Sequence, residues 1–600
     1  MYKGIEIGGP HGYGVQFRKE AWADDELFLA KCFSFTVDEK QGTVKADIRK
    51  TTKRALSEFM NKCFHSQMFS PDWDTWRAYS LPQIKFMYQQ VYEDFYANIL
   101  PGLEYHDKMY QHQKDSVLLG YWKPHNLFSL EMQMGKSLVA ASLTKLHNYS
   151  RTLLLCPSIA KFKWYRELTT DWGFDPLHFT VLDSSARRTI RAFREKWVIV
   201  NYEMLNKYKK YLLAEKFQHI IIDECTDVKN IHSARAKNVF EICGANEGCR
   251  ISLLSGTPIQ NRLNDLYSYF KLTHHPLGHN YAKFLRDFTE TATFRGGIQV
   301  KGGKNMDKLS IMLSNFMIRK RKEDCMDLPP KVATKYYFEL ADYKKQYNDI
   351  LREMAKQKDI SGITSSLHSL NIVVAKSKIK GIINIIDSIL VEDRKVIVFT
   401  SYTEPLDMLK AHYGEAAIVV DGRINSFQKE ANAEAFKKDD KIKVFLGNMK
   451  AAGKAINLTN ASDVVVVNFP FVPSDLDQAT DRPHGIGQTK SVNIFYTICE
   501  DSVDEQLYDL IVDKATDINA VIDRQKGAAE YTNIPEQLFR TLIEKFKKEN
   551  NEQEQSTEIP AEGHGEGDGQ LSLDNTGEQE TVVDLRESDM GSEEIQHKQL

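Results

Sequence analysis

Cysteine is sparse and unpaired in this 600-residue chain. The eight cysteines (Cys32, Cys63, Cys156, Cys225, Cys243, Cys249, Cys325, Cys499) include no CxxC pair and no histidine pair at zinc-ligand spacing nearby. A disulfide framework and a structural zinc module are therefore excluded, leaving reduced thiols inside a fold. No apolar run reaches the roughly eighteen residues that a membrane-spanning helix needs. The opening MYKGIEIGGPHGYGVQFRKE lacks the basic-then-apolar order of a secretory signal. The expectation is a soluble, intracellular protein with no membrane partner, cytoplasmic if the source is bacterial or viral. Glycine (33) and proline (17) are too few for a collagenous or low-complexity chain.

What is present is globular: 42% hydrophobic, 11% aromatic and 27% charged residues. The length exceeds the roughly 250–300 residues that one hydrophobic core supports, so at least two domains are expected. Charge is unevenly placed. Residues 551–600 hold 14 acidic against 2 basic side chains, a net −12, which leaves +9 for residues 1–550 of the −3 total. A basic body favours a polyanionic partner such as nucleic acid.

Short apolar runs (NLFSL, TLLLC, WVIVN, HIIII, ISLL) alternate with helical-period segments from about 126 to 255. The pattern returns between about 395 and 497 as KVIVF, AIVV, KVFL, VVVVN and NIFYT. This is the signature of βα units around buried parallel sheets. The predicted organisation is a small α+β domain (1–105), an α/β lobe (106–335), a second α/β lobe (336–546) and an acidic tail (547–600). The stretch near 303–390 reads as helical and charge-rich. The tail is too polar to offset chain entropy, so disorder is expected there, with solubility, partner recruitment or competition for the basic groove as its possible roles.

Two motifs carry chemistry. NLFSLEMQMGKSLVAASLTKL reads as a strand, a tight loop and a helix with Gly135-Lys136-Ser137 at its start, where unpaired amides and the helix dipole favour a phosphate. Lys136 would reach the β- and γ-phosphates and the Ser137 hydroxyl would hold Mg²⁺. In FQHIIIDECTDVKN an apolar strand ends in Asp223-Glu224. Asp223 would coordinate Mg²⁺ and Glu224 would polarise the attacking water.

With both motifs in place, the sequence resembles helicase superfamily 2 and, within it, the Swi/Snf-type DNA-translocating ATPases, over about 106–525. RISLLSGTPIQNRLNDLYSYF contains the S/T-G-T-P element as Ser255-Gly256-Thr257-Pro258, and LSNFMIRKRKEDCMDLPPK resembles F-M-L-R-R-x-K…L-P-P-K through Phe316, Met317, Arg319, Lys320, Lys322, Leu328, Pro329, Pro330 and Lys331. DLDQATDRPHGIGQTK resembles Q-A-x-D-R-x-H-R-x-G-Q, with Gln478, Asp481, Arg482, His484, Gly487 and Gln488 in register. The resemblance implies two tandem RecA-like lobes, with ATP and Mg²⁺ between them. It implies Gln113 of MYQHQK against the adenine base and Met132, Gln133, Met134, Gly135, Lys136 and Ser137 around the phosphates. Gln478 and Arg482 would complete the catalytic set from the second lobe. Lys161, Asn201, Tyr202, Thr257, Gly453 and Asn457 would lie along DNA, which is held through its phosphates. The nearest likeness is to compact annealing-helicase-like and bacterial or phage forms acting in replication or repair, and a monomer is expected.

Three positions depart from the pattern. Gln133 replaces the first glycine of G-x-G-K-T, Thr226 replaces the histidine of D-E-x-H, and Gly485 stands where the family places its second arginine. Arg423 and Lys490 are the available replacements for that arginine. These departures leave an adaptor reading open, a DNA-binding protein with weakened hydrolysis that Gly485→Arg would restore. An RNA-directed helicase is a further alternative.

Overall fold

The computed structural model describes residues 89–182, 195–259, 263–294, 297–313, 315–357, 360–452 and 456–511, with shorter pieces of 2–56 and 538–544. The acidic tail, with its expected disorder and partner role, lies outside the described residues, as does Gly453. Strands β1 (Tyr2–Ile7), β2 (Gly14–Lys19), β3 (Thr36–Asp38) and β4 (Thr43–Asp47) pair antiparallel in the order β1-β2-β4-β3. This sheet is not free-standing. Phe33, Val44 and Val91 join the same apolar cluster as Leu127, Leu153 and Phe270, and the Asn315 side-chain amide donates to Phe33 O at 2.8 Å.

The first lobe is built on β5 (His125–Leu130), β6 (Thr152–Cys156), β7 (Phe179–Val181), β8 (Trp197–Asn201), β9 (His219–Asp223) and β10 (Arg250–Leu254). A hairpin of β11 (Thr289–Phe294) and β12 (Gly297–Gly303) follows, and β13 (Met317–Lys320) then returns to the sheet. The order is β13-β5-β10-β9-β6-β8-β7, with every pairing parallel. Alternate residues divide between its two faces: Leu153, Val198, Ile220 and Ile222 enter one core, while Leu154, Ile199 and Ile221 enter the other. Strands buried on both sides must be apolar throughout, which is why they read as unbroken runs.

The second lobe repeats the plan with β14 (Lys331–Phe338), β15 (Val396–Thr400), β16 (Ala417–Val420), β17 (Val444–Asn448), β18 (Asp463–Val466) and β19 (Val492–Cys499). Its order is β14-β19-β18-β15-β17-β16, again all parallel. Ile397, Phe399, Val464 and Val466 face one core, and Val396, Val398 and Val465 the other. The tandem-lobe fold expected from the sequence is present.

The stretch near 303–390 departs from its helical reading. It contains the helices Lys344–Ala355, Ile360–Ser377 and Ile379–Val391, yet β13 and β14 precede them, one strand contributed to each sheet. The second sheet thus begins at Lys331, before the expected boundary at 335/336. Among the described residues no helix is long and apolar enough to cross a membrane.

Candidate nucleotide site between the lobes

Parallel register collects the motifs at one sheet edge. Leu254 pairs with Asp223 and Lys320 with Leu130, so four segments leave the carboxyl ends of neighbouring strands together. They are the loop 131–135, Asp223-Glu224, Ser255–Thr257 and the chain after Lys320. This edge of an open parallel sheet is where α/β proteins bind ligands.

The loop feeds the helix Lys136–Leu146 through Gly135 at φ 79°. A side chain at Gly135 would meet Gln113 Nε2 at 2.2 Å, so both conformation and space require glycine. Lys136 Nζ donates to Leu130 O at 2.8 Å and Glu131 O at 2.9 Å. Burial lowers its pKa to about 8, against the opposing pull of Glu224 and Asp223. Ser137 is half-buried at the same helix start. Met132 and Met134 are buried, Met134 within the lobe core. Gln113 is also buried, and its carboxamide is taken up by the chain: Nε2 donates to Met134 O at 3.2 Å and Oε1 accepts from Tyr110 N at 3.1 Å. In this arrangement it braces the loop rather than facing outward to a base.

Burial raises the Asp223 pKa to about 6, and the Trp164 indole N–H, donating at 2.7 Å, opposes the rise. Asp223 Oδ1 accepts the Glu224 amide at 3.0 Å. Glu224 holds a left-handed backbone at φ 49°, and the Thr226 hydroxyl donates to its Oε1 at 2.5 Å. Asp223 with the Ser137 hydroxyl is a donor set that suits Mg²⁺, which keeps water and phosphate oxygens for most of its shell. No group of three or more His, Cys, Asp or Glu side chains that could hold a metal ion occurs among the described residues.

The second lobe meets this edge directly. Gln478 Nε2, on the helix Pro473–Thr480, donates to Thr257 Oγ1 at 3.3 Å. Arg482 is buried, with Nη2 3.2 Å from Met132 Sδ in the phosphate loop and Nη1 donating to Ile456 O at 3.2 Å. Burial brings its pKa to about 10, with Glu224 and Asp481 pulling upward. Lys136 and Arg482 act electrostatically on each other, and both on Glu224. Below them Asp481 bridges Lys322 Nζ (3.2 Å) and Lys331 Nζ (2.6 Å), and Lys322 also donates to His484 O at 2.5 Å. Arg319 adds a bond to Glu131 Oε1 at 3.0 Å. Lys322 and Lys331 fall in a family-like segment that gives them no task in sequence; in the fold Lys322 crosses to the second lobe, while Lys331 opens that lobe's own sheet.

Several expectations need correction. Lys161, Asn201 and Tyr202, expected along DNA, are 6%, 4% and 3% exposed. Lys161 donates to Leu182 O, Asn201 to Glu203, and the Tyr202 hydroxyl to Asp223 O at 2.5 Å. Ordering the β8 edge and Asp223 is what these side chains do here. Asn457 is half-buried and its side-chain oxygen accepts from Thr459 N at 3.0 Å. Arg423 does not supply the absent second arginine, because it pairs with Asp407 and Asp421 inside the second lobe. Lys490 is exposed. Gln133, standing where the family pattern has glycine, holds a positive φ of 61°. It also fills the space beside Gly485, where a side chain would begin 1.8 Å from Gln133 Oε1. Gly485→Arg, the change expected to restore hydrolysis under the adaptor reading, therefore requires the Gln133 side chain to move.

Two parallel-sheet lobes meeting at the loop 131–135, with Asp223 and Glu224 on one lobe and Arg482 on the other, make up a tandem RecA-like fold. Residues 53–389 match the SNF2-related domain and residues 377–487 the helicase conserved C-terminal domain, so this chain belongs to the SNF2-related family. It is 27% identical over 425 residues to a SWI/SNF-related matrix-associated actin-dependent regulator of chromatin subfamily A-like protein 1 homolog of Caenorhabditis elegans, covering 68% of this chain and 61% of that one. An uncharacterized ATP-dependent helicase, MG018, of Mycoplasma genitalium is 27% identical over 411 residues, covering 63% of this chain and 38% of that one. Human DNA annealing helicase and endonuclease ZRANB3 is 25% identical over 451 residues, covering 70% and 41%. The matches therefore span less than two thirds of each relative's length.

Proposed function

We propose that the protein is a DNA-stimulated ATPase that translocates on and remodels DNA in replication or repair. The observation that carries this reading is that Arg482, from the second lobe, meets the loop preceding Lys136, with its Nη2 3.2 Å from Met132 Sδ and its carbonyl accepting from Gln133 Nε2 at 2.6 Å. The names of the relatives, an ATP-dependent helicase and an annealing helicase among them, support the same class.

In this mechanism the amides at the start of the helix Lys136–Leu146 and the Lys136 ammonium hold the phosphates. Asp223 and Ser137 would hold Mg²⁺, which when bound would supply charge neutralisation at the phosphates. Glu224 orients the attacking water and accepts its proton, with Thr226 fixing one carboxylate oxygen. Arg482 stabilises charge spreading over the γ-phosphoryl, and does so only while the lobes are together. The Gln478–Thr257 bond couples that closure to the segment after β10. DNA bound across both lobes favours closure and so drives turnover, and repeated opening and closing moves the lobes along a strand.

Phosphate release is measured with duplex, forked and single-stranded DNA, and with none, for the natural protein and Lys136→Ala. Stimulation by DNA that disappears in the variant is expected. A rate indifferent to every DNA overturns the proposal, and DNA binding without turnover assigns the adaptor role instead. Stimulation by RNA alone assigns the RNA-directed class. A protein partner for the acidic tail is part of the same proposal, read by whether removing 547–600 changes what the protein recruits.

A further inference from the structure

Gln133 is held at a cost. Its backbone is left-handed at φ 61°, a conformation that strains any residue with a Cβ and that glycine adopts freely. Its Oε1 is buried with no hydrogen-bond partner among the described residues. Its reach into the second lobe requires position 485 to have no side chain at all: a Cβ there would stand 1.8 Å from Oε1, 2.6 Å from Cδ and 2.8 Å from Cβ of Gln133. Glycine at 133 would remove all three penalties. What glutamine supplies in exchange is a donor: Nε2 bonds to Arg482 O at 2.6 Å and Asp481 O at 3.3 Å. These carbonyls belong to the arginine that faces the phosphate loop and to the aspartate that bridges Lys322 and Lys331.

We infer that Gln133 is a positioning residue, a clasp from the phosphate loop that fixes the backbone of Arg482, and that Gly485 is the notch that receives it. The inference rests on the ATPase reading for its kinetic consequences but not for the clasp itself. Gln133 and Gly485 are then one change rather than two, since a side chain at 485 and the glutamine at 133 occupy the same space. A neutral amide from the first lobe thus joins the Lys322–Asp481 and Gln478–Thr257 contacts between the lobes, and ties the setting of Arg482 to the loop that precedes Lys136.

The test has a kinetic and a conformational arm. DNA-stimulated hydrolysis is measured for Gln133→Glu, which keeps the size but turns an acceptor toward two carbonyls, and for Gln133→Gly, Gly485→Arg and the double variant Gln133→Gly/Gly485→Arg. Gln133→Glu is expected to lower kcat by about tenfold or more, with KM for ATP within about threefold. Gly485→Arg is expected to lose activity, and Gln133→Gly in the same chain to recover about tenfold or more of it. An unchanged kcat in Gln133→Glu, a change confined to KM, or two losses that simply multiply in the double variant overturns the clasp. Independently, fluorescence transfer is read between dyes on Leu177→Cys and Val391→Cys, exposed by 81% and 87% on the two lobes. Gln133→Glu is expected to depopulate the closed state without nucleotide, and an unaltered distribution overturns the inference. If the natural protein hydrolyses no ATP, the ATPase reading falls, while this second arm still decides the clasp.

Discussion

The Thr226 hydroxyl donates to Glu224 Oε1 across 2.5 Å, and Glu224 sits beside both Lys136 and Arg482. The position where the family pattern has histidine is thus filled by a donor that orients the candidate base. Thr226→Val keeps the shape and removes that donor. A loss of about tenfold in kcat is expected, in line with a hydrogen bond to a charged group, with KM little changed. Steady-state hydrolysis with saturating DNA measures it.

Arg482 is buried against Met132 of the phosphate loop. Arg482→Ala is expected to lower kcat by about 10³-fold or more while ATP still binds, as for other arginines that act on a transferring phosphoryl group. Lys136→Ala is expected to weaken binding itself. Fluorescent-nucleotide titration alongside turnover separates the two.

Asp481 makes interlobe contact sensitive to acid. Burial alone would raise its carboxyl, but Lys331 and Lys322 overcome this and bring it down to about 2 from 3.8. A depressed carboxyl contributes stability above its unfolded value and loses it as pH falls through the folded one, so the window runs from about 4 down to about 2. The contribution is about 2 kcal/mol. Asp481→Asn is expected to be less stable near neutral pH and to lose less stability over that acid window, read from urea unfolding at several pH values.

Lys378 and Asp504 form an ion pair with no exposure on either side chain, and Lys378 Nζ also donates to Thr497 O at 2.7 Å. Burial pushes the Asp504 carboxyl up, with Lys378 opposing it. Asp504→Ala leaves an ammonium uncompensated inside the second lobe and is expected to cost about 3–5 kcal/mol. Replacing both partners with apolar residues is expected to recover most of that, as a denaturant titration would report.

The core strands were legible because each is buried on both faces: TLLLC, WVIVN and HIIII carry no polar side to blur them. The edge strands β13 and β14 were not. Tyr336 and Tyr337 of β14 are exposed by 40% and 53%, and β13 reads MIRK, so neither shows the apolar run of a central strand. Phosphate-loop and acidic motifs were visible because their chemistry is local in sequence. The contact between Gln133 and Gly485 was not, since both were noticed only as separate departures and nothing in a linear chain says they touch. Lys161 and Tyr202 show the converse: residue types that suit DNA phosphates were turned inward by the packing of β8 and the helix Ala160–Arg166.

The chain's passage from one lobe to the other is stitched to the loop that bears Arg482. His484 Nε2 lies 2.8 Å from Pro329 O, and the Val492 amide donates to Pro330 O at 3.0 Å. If the lobes open and close as proposed, the crossing and the loop bearing Arg482 would move as one piece, and a ligand wedged beneath Pro329 would reach turnover without approaching the phosphates.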